Sequence, residues 1–392
     1  MPDALSDVSS ETSAAAFPHQ GRALVFTQQL VGLGGRKTSL VFMAESLAAQ
    51  GWSVSVVTVQ LSRLSLLRGN ARLGAAPRDI WNRWRRVSPT LESMVWIPAF
   101  HPARWPSRFL NLLSTPLLHA YGALLPQSVV QRAREADLIV IESCAAVALF
   151  RRLRRLAPRA KIVHSMSDRL DVVGMHPGLA GMFRKDAPAY DLIRVPADAL
   201  LADAPNARTA VIPHGLDKAA YDLSAENPLP TGRHAVLAGD MMFDQPAFER
   251  LVRAFPDVTF HAFGRFDLSA VADAANVRAH GEVPFAALAA YLKHADVGLA
   301  LYKVAPGLEY IAQSSLKLIQ YEYCGLPTVA PQFAAGDHGN VFGYDPDDAD
   351  SLRSAFADAL ASPRIEGGQD VRDWDEMVRA LLSATFRSEA AA

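Results

Sequence analysis

Ser314 and Ser315 stand immediately before the apolar-periodic run Leu316-Lys317-Leu318-Ile319-Gln320-Tyr321-Glu322-Tyr323-Cys324, which stops at Gly325 and Pro327. Serine before such a run, with glycine and proline after it, predicts a capped helix of about three turns. The free N–H groups and the positive dipole end at Ser314/Ser315 make an anion site, and Lys317, one turn in, adds a full charge beside it. A diphosphate fits that description. An ordinary capped helix with a surface lysine fits it as well, and the local pattern does not separate the two.

Asp168 is the second candidate, in His164-Ser165-Met166-Ser167-Asp168-Arg169 directly after a predicted strand. A carboxylate at the mouth of a cleft can take a proton from a substrate hydroxyl; the alternative is that Asp168 caps a following helix. Glu282, after the Val277–His280 strand, and the turn Gly239-Asp240-Met241-Met242 hold matching places in the second half of the chain. Glu282 suits hydrogen bonds from a sugar or ribose. The loop from Val31 to Thr38 fails two nucleotide motifs on spacing. Arg36 stands where a Walker-type loop needs glycine, and Val59 and Gln60 stand where a dinucleotide fingerprint needs an acid. It reads instead as a flexible turn giving a ligand backbone access at a helix start. Asp345-Pro346-Asp347 and Asp373-Trp374-Asp375 spell acid-x-acid around helix starts, where acids favour the dipole. No Cys/His cluster has zinc spacing, so metal-free chemistry is expected.

The elements that must carry these residues alternate strand and helix. Ala23–Thr27, a helix near Lys37–Gln50 and Ser53–Val59 form a βαβ unit; Leu138–Glu142, Ala145–Leu156 and Lys161–His164 repeat it, and Leu192–Val195 and Ala210–Ile212 add strands. After Pro213-His214-Gly215 and a polar stretch, the pattern returns. It runs through His234–Ala238, helix Pro246–Phe255, Val258–Phe263, helix Phe285–Ala295, Val297–Leu301, the serine-capped helix and Thr328–Ala330. Near-continuous apolar strands are those of parallel sheets covered on both faces. The fold class is therefore α/β, two Rossmann-like doubly wound parallel-sheet domains facing a cleft, with ligands beyond the carboxyl ends of the strands. The expected division is a disordered leader at 1–20, a first domain at 21–213, a linker at 214–233 and a second domain at 234–365. A closing segment at 366–392 carries a helix near Trp374–Phe386 that could pack back onto the first domain.

The chain has 392 residues, half of them apolar, and a net charge of −1. Residues 1–196 carry 24 Lys/Arg against 13 Asp/Glu, a balance of +11, and residues 197–392 carry 15 against 27, a balance of −12. The halves face different partners, or each other. Cys144 and Cys324, one in each half, imply no disulfide framework and fit a reducing cytosol. No window reaches the roughly 20 consecutive apolar residues of a membrane span, so any membrane association is peripheral. Residues 61–108 hold nine Arg, two acids and four of the six Trp (81, 84, 96 and 105), followed by the apolar Phe109–Leu125. Arginine for anionic head groups and tryptophan for the interfacial layer compose a membrane-surface patch. Nucleic acid is the rival partner, but no binding module is recognised, and none is expected to bind.

The linker Val211-Ile212-Pro213-His214-Gly215-Leu216-Asp217 and the helix ending Cys324-Gly325-Leu326-Pro327-Thr328-Val329 resemble those of GT-B glycosyltransferases. More closely, residues 22–360 resemble the GumK family, the glucuronosyltransferases of xanthan assembly. The specific matches are Leu61-Ser62-Arg63-Leu64, Ser167-Asp168, Gly239 through Met241 to Phe243-Asp244, Gly281-Glu282, and Ser314-Ser315 through Lys317 to Gln320-Tyr321. The resemblance implies UDP-glucuronate on the second domain, as substrate and with no cofactor, and a polyprenyl-diphosphate-linked oligosaccharide on the first, at the cytoplasmic face of the inner membrane. It implies Asp168 as the base of an inverting displacement, and a donor site of Met241, Glu282, Tyr302, Ser315, Lys317 and Gln320. Lys317 and the serine end of the helix would stabilise departing UDP. Retaining enzymes of this architecture have two glutamates where Ala312 and Gln320 stand, against that mechanism. Val283 and Leu316 replace donor-loop methionines of the closer family, and the Gln28–Arg36 loop departs from its basic, histidine-containing counterpart, so the acceptor sugars can differ. Transfer of another hexose from UDP, or a silent nucleotide-sugar-sensing membrane module, are the alternatives.

Overall fold

The computed structural model describes residues 21–33, 37–67, 76–223, 226–336, 338–365, 368 and 370–387. The 1–20 leader, Gly34, Gly35, Arg36, Arg68, Arg72 and Ser224 of the sequence reading lie outside the described residues.

Two sheets organise the chain. The first contains β1 (Arg22–Thr27), β2 (Ser53–Thr58), β3 (Arg85–Arg86), β4 (Leu91–Val95), β5 (Leu138–Glu142), β6 (Lys161–Ser165), β7 (Leu192–Val195) and β8 (Thr209–Val211), in the order β3-β4-β2-β1-β5-β6-β7-β8. All neighbours are parallel except β3 with β4. The second contains β9 (Arg233–Ala238), β10 (Val258–Phe263), β11 (Val277–Gly281), β12 (Val297–Leu299), β13 (Thr328–Pro331) and β14 (Val341–Tyr344), parallel throughout in the order β11-β10-β9-β12-β13-β14. Each has the doubly wound arrangement in which strand order reverses beside the first strand, between β1 and β5 and between β9 and β12. Those two switch points open crevices at the carboxyl ends of the strands.

Alternation along the strands explains why both faces are covered. Ala23, Val25, Val54, Val56, Leu138, Val140 and Leu192 join one core with the Ser39–Ala49 helix, while Leu24, Phe26, Ile139, Ile141 and Ile193 join another on the opposite face. Burying each of the Val, Leu, Ile and Phe side chains stabilises by roughly 1.5–3 kcal/mol, which the backbone ordering cost largely offsets. The second core also takes in Tyr302, Leu308, Tyr310 and Ile311, so it runs without interruption into the other half of the molecule.

The Trp374–Phe386 helix packs on the first sheet's side. Trp374 stacks on Phe42 at 5.2 Å between ring centroids, and Ser46 donates to Asp375 at 2.5 Å. Its start is fixed by a capping box between Asp373 and Glu376, which occupies one acid of the second acid-x-acid spelling. Gly215 has to be glycine where that helix crosses the linker: a Cβ there would lie 2.7 Å from Asp373 O and Trp374 Cα. The first acid-x-acid spelling is likewise used locally, Asp345 accepting from Asp347 N at 3.0 Å.

Several elements differ from the sequence expectation. The first-domain helix begins at Ser39, not Lys37, and Ala145–Leu149 is a 3₁₀ turn that becomes α-helical only at Phe150. The serine-capped helix is interrupted: Ile311–Ser314 forms one short turn and Leu316–Tyr323 the helix proper.

Candidate functional site

Extended backbone at Ser315 (φ −69°, ψ 114°) breaks the helix and turns its side chain onto the new N-terminus, where its Oγ accepts from Leu318 N at 3.3 Å. Ser315 is thus the cap, and Ser314 ends the preceding turn, buried. The Ser315 hydroxyl also meets the Tyr302 hydroxyl at 2.5 Å, and the Tyr302 ring lies 4.9 Å beneath the Lys317 ammonium. Lys317 donates to the carbonyl of Gly239 at 3.2 Å. These contacts bring the helix end, the end of β12 and the turn after β9 to one point at the second switch point. Lys317 is 9% exposed, too buried for the surface lysine of the alternative reading.

Gly239 (φ +78°) and Met242 (φ +53°) give the turn after β9 its left-handed course. For Met242 that conformation is strained and is held by Lys303 N donating to Met242 O at 2.7 Å and by the Phe243–Tyr302 bridge. The turn leaves Met241 38% exposed beside the crevice. From Gly239 a line of backbone hydrogen bonds runs along the strand ends, Gly239 N to Phe263 O and Gly264 N to Gly281 O, each 2.8 Å. It ends one residue before Glu282, whose carboxylate pairs with Arg265 at 3.2 Å. Gln320 is half-buried, one turn beyond Lys317 on the same helix. Met241, Glu282, Tyr302, Ser315 and Lys317 therefore share one edge of the second sheet, with Gln320 further along the helix. Arg265 was missed by the sequence reading; its only sequence signal is its place after β10.

Across the crevice, Asp168 sits in the turns that follow β6 and caps no helix: the next helix, Pro177–Asp186, is capped by His176. Asp168 Oδ1 accepts from the hydroxyl of Tyr310 at 3.1 Å, a contact between halves of the chain 142 residues apart. Burial pushes the Asp168 carboxyl up to about 6; Tyr310 opposes the rise, and the charge of Glu142 adds to it. Glu142 ends β5 at the first switch point, 5% exposed, accepting from Thr27 Oγ1 at 2.6 Å and Gln28 N at 2.7 Å. The Asp168 charge also helps raise the Tyr302 hydroxyl pKa, although burial is the larger cause. A carboxylate near neutrality thus faces a cationic, serine-capped helix end. This arrangement can take a proton on one wall and hold an anion on the other.

Residues 25–196 match the family described as Glucuronosyltransferase GumK, N-terminal domain. A Xanthomonas campestris pv. campestris protein, UDP-glucuronate:glycolipid 2-beta-glucuronosyltransferase, is 31% identical over 348 residues, 88% of this chain and 86% of its own. The chain belongs to the GumK family of glucuronosyltransferases. Solved structures agree on the GT-B architecture at lower identity. Sucrose-phosphate synthase of Thermosynechococcus elongatus aligns at TM-score 0.60 and 18% identity, covering 94% of this chain and 96% of its own. An E. coli trehalose-6-phosphate protein bound with UDP-2-fluoro glucose aligns at 0.61 and 12%, covering 94% and 99%. Within the GumK family member described here, the stretch matched by the family's N-terminal domain includes Asp168, and the opposing wall lies outside it.

The residues expected to form a membrane patch divide between core and surface. Trp96 is core, and Trp84 lies under the Arg132 guanidinium at 3.9 Å. Arg83, Arg85, Arg86, Arg104 and Arg108 are exposed. The outward apolar surface is instead on the Arg108–Tyr121 helix, where Phe109, Leu112 and Leu113 are 65%, 70% and 59% exposed. None of the described helices is long and apolar enough to cross a membrane.

Proposed function

We propose that this chain transfers glucuronate from UDP-glucuronate to a polyprenyl-diphosphate-linked oligosaccharide, with inversion at the anomeric carbon and without a metal, at the cytoplasmic face of the inner membrane. The name of the Xanthomonas relative, UDP-glucuronate:glycolipid 2-beta-glucuronosyltransferase, supports the substrates. The observation that carries the chemistry is Asp168 standing opposite the Ser315–Lys317 helix end, its carboxyl near 6.

The acceptor hydroxyl gives its proton to Asp168 as its oxygen bonds to the anomeric carbon. The bond from that carbon to the diphosphate oxygen breaks on the opposite side, and UDP leaves with the electron pair. The N–H groups at Leu316 and beyond and the Lys317 ammonium hold the charge that develops on the diphosphate. Glu282 takes the ribose hydroxyls, Met241 and Tyr302 wall the pocket, and Gln320 hydrogen-bonds the sugar. Ala312 and Gln320, in place of two glutamates, favour inversion over retention. With a carboxyl near 6, most of the base is ionised at pH 7.5.

Docking at a membrane is supported by the Arg108–Tyr121 helix. Phe109, Leu112, Leu113, Pro116 and Leu117 recur at helical spacing on its exposed face, and Arg104 and Arg108 flank it. An apolar stripe rimmed by arginine suits the boundary of an anionic bilayer, where the lipid-linked acceptor resides.

Asp168→Asn tests the mechanism. Transfer should fall at least about 10³-fold while UDP affinity, measured by calorimetry, is unchanged. An active variant removes Asp168 from the reaction.

A further inference from the structure

The segment Gly307–Gln313 reaches from the donor wall to the opposite half at three points. Arg169 donates to Gly307 O at 3.2 Å, Tyr310 donates to Asp168 Oδ1 at 3.1 Å, and Gln313 Oε1 accepts from Asp198 N at 3.1 Å. The same segment leads directly into the helix cap: Ser314 N bonds Tyr310 O and Ser315 N bonds Ile311 O, each at 3.0 Å. Tyr310 is 2% exposed, so its ring is fixed by packing, and its hydroxyl accepts from the Arg169 backbone while it donates to Asp168. Asp168 Oδ2 takes no hydrogen bond from the described residues and is left for the substrate.

We infer that Tyr310 is a positioning residue for the transfer reaction: its hydroxyl, supplied from the donor half, fixes the Asp168 carboxylate with one oxygen engaged and the other turned to the acceptor. The inference rests on the proposed role of Asp168 as base. A carboxylate on a turn has two rotatable bonds, and holding one oxygen removes most of the orientations in which it cannot reach the hydroxyl. Because Tyr310 lies five residues before Ser315, the base is oriented only when the donor wall is docked against it.

The groups facing Asp168 fix the direction of the test. Tyr310 stabilises its charged form; Glu142 destabilises it; Tyr302 is neutral across the working range; and Arg169, its chain neighbour, is held by Asp203 at 2.7 Å. In Tyr310→Phe the charged form loses its hydrogen bond. The acid limb of log kcat/KM against pH, expected near 6, should move up by about half to one pH unit. kcat should fall about 10- to 100-fold with UDP affinity unchanged. Replacing Tyr310 by 3,5-difluorotyrosine, which keeps the ring and makes the hydroxyl a stronger donor, should move the limb down instead. Should Tyr310→Phe fail to fold, the fluorinated protein decides alone. An unmoved limb in either protein, with only thermal stability altered, overturns the inference. Asp168→Asn is run beside them: if it remains active, the reading of the base fails first, whereas an inactive Asp168→Asn with an unmoved Tyr310→Phe limb sinks only the role of Tyr310.

Discussion

Asp168 is a carboxyl that the fold makes unfavourable to ionise. Its ordinary value is 3.8 and burial pushes it up to about 6, so the folded chain holds the proton more tightly than the unfolded one. The stability this confers is fully present below pH 3.8 and is lost as pH rises through about 6. Asp168→Asn should therefore melt at a higher temperature than the parent at pH 8, with the difference shrinking as pH is lowered to 4. A parent and variant with the same gap at both pH values would show that Asp168 is not desolvated. Strain of this kind at the residue proposed to react is a stability cost set against function. On the other wall, Lys317→Ala removes the full charge beside the helix end. UDP affinity should fall about 10- to 100-fold in calorimetry, and unchanged affinity would remove Lys317 from the diphosphate site.

Elements differ in how much of them a single sequence discloses. Strands such as Leu138–Glu142 and Val258–Phe263 are bounded correctly because parallel strands covered on both faces are continuous apolar runs. Leu91–Val95 escapes that rule: Glu92 and Ser93 sit mid-strand, satisfied by Arg132 at 2.6 Å and by Val31 O at 3.2 Å, partners that exist only after folding. The serine pair is legible as a cap, but which serine caps depends on Ser315 leaving helical backbone to meet Tyr302. Tyr310 carries no motif, since its partner is set by how the two halves dock. The Arg108–Tyr121 helix shows the opposite case. Its apolar residues are evident in the sequence, yet nothing local says that Phe109, Leu112 and Leu113 point away from the core. Leu112→Asp with Leu113→Asp should abolish binding to anionic vesicles and leave thermal stability within about 0.5 kcal/mol, because exposed positions contribute little to the fold. Retained vesicle binding by a folded double variant would move the docking surface elsewhere.

At the scale of the whole molecule, the charge division matches the proposed division of labour. The +11 half carries the exposed apolar helix and the arginines beside it, and the −12 half carries the proposed donor wall. The acidic background of the second half opposes an anionic donor, so the Ser315 helix end and Lys317 have to overcome it locally, at distances shorter than the Debye length of about 8 Å. Binding to anionic vesicles should weaken steeply between about 50 and 500 mM salt. Binding indifferent to salt and to anionic lipid would make the division a matter of attraction between the two halves instead. The strand orders came only with the structure, whereas the two α/β halves and the crevice between them were readable, because each half repeats the alternation of strand and helix. The contacts across the crevice were not, since no sequence pattern encodes how two halves meet.

Glucuronate transfer to a lipid-linked acceptor is decided by UDP release from a panel of UDP-sugars, with and without a polyprenyl-diphosphate-linked oligosaccharide. Release from UDP-glucuronate is expected only when the acceptor is present. kcat/KM with UDP-glucose should be at least about 10²-fold lower, because a site that hydrogen-bonds a carboxylate leaves polar groups unpaired around the neutral sugar. Equal turnover of UDP-glucose, or release from UDP-glucuronate that ignores the acceptor, would contradict the proposed function.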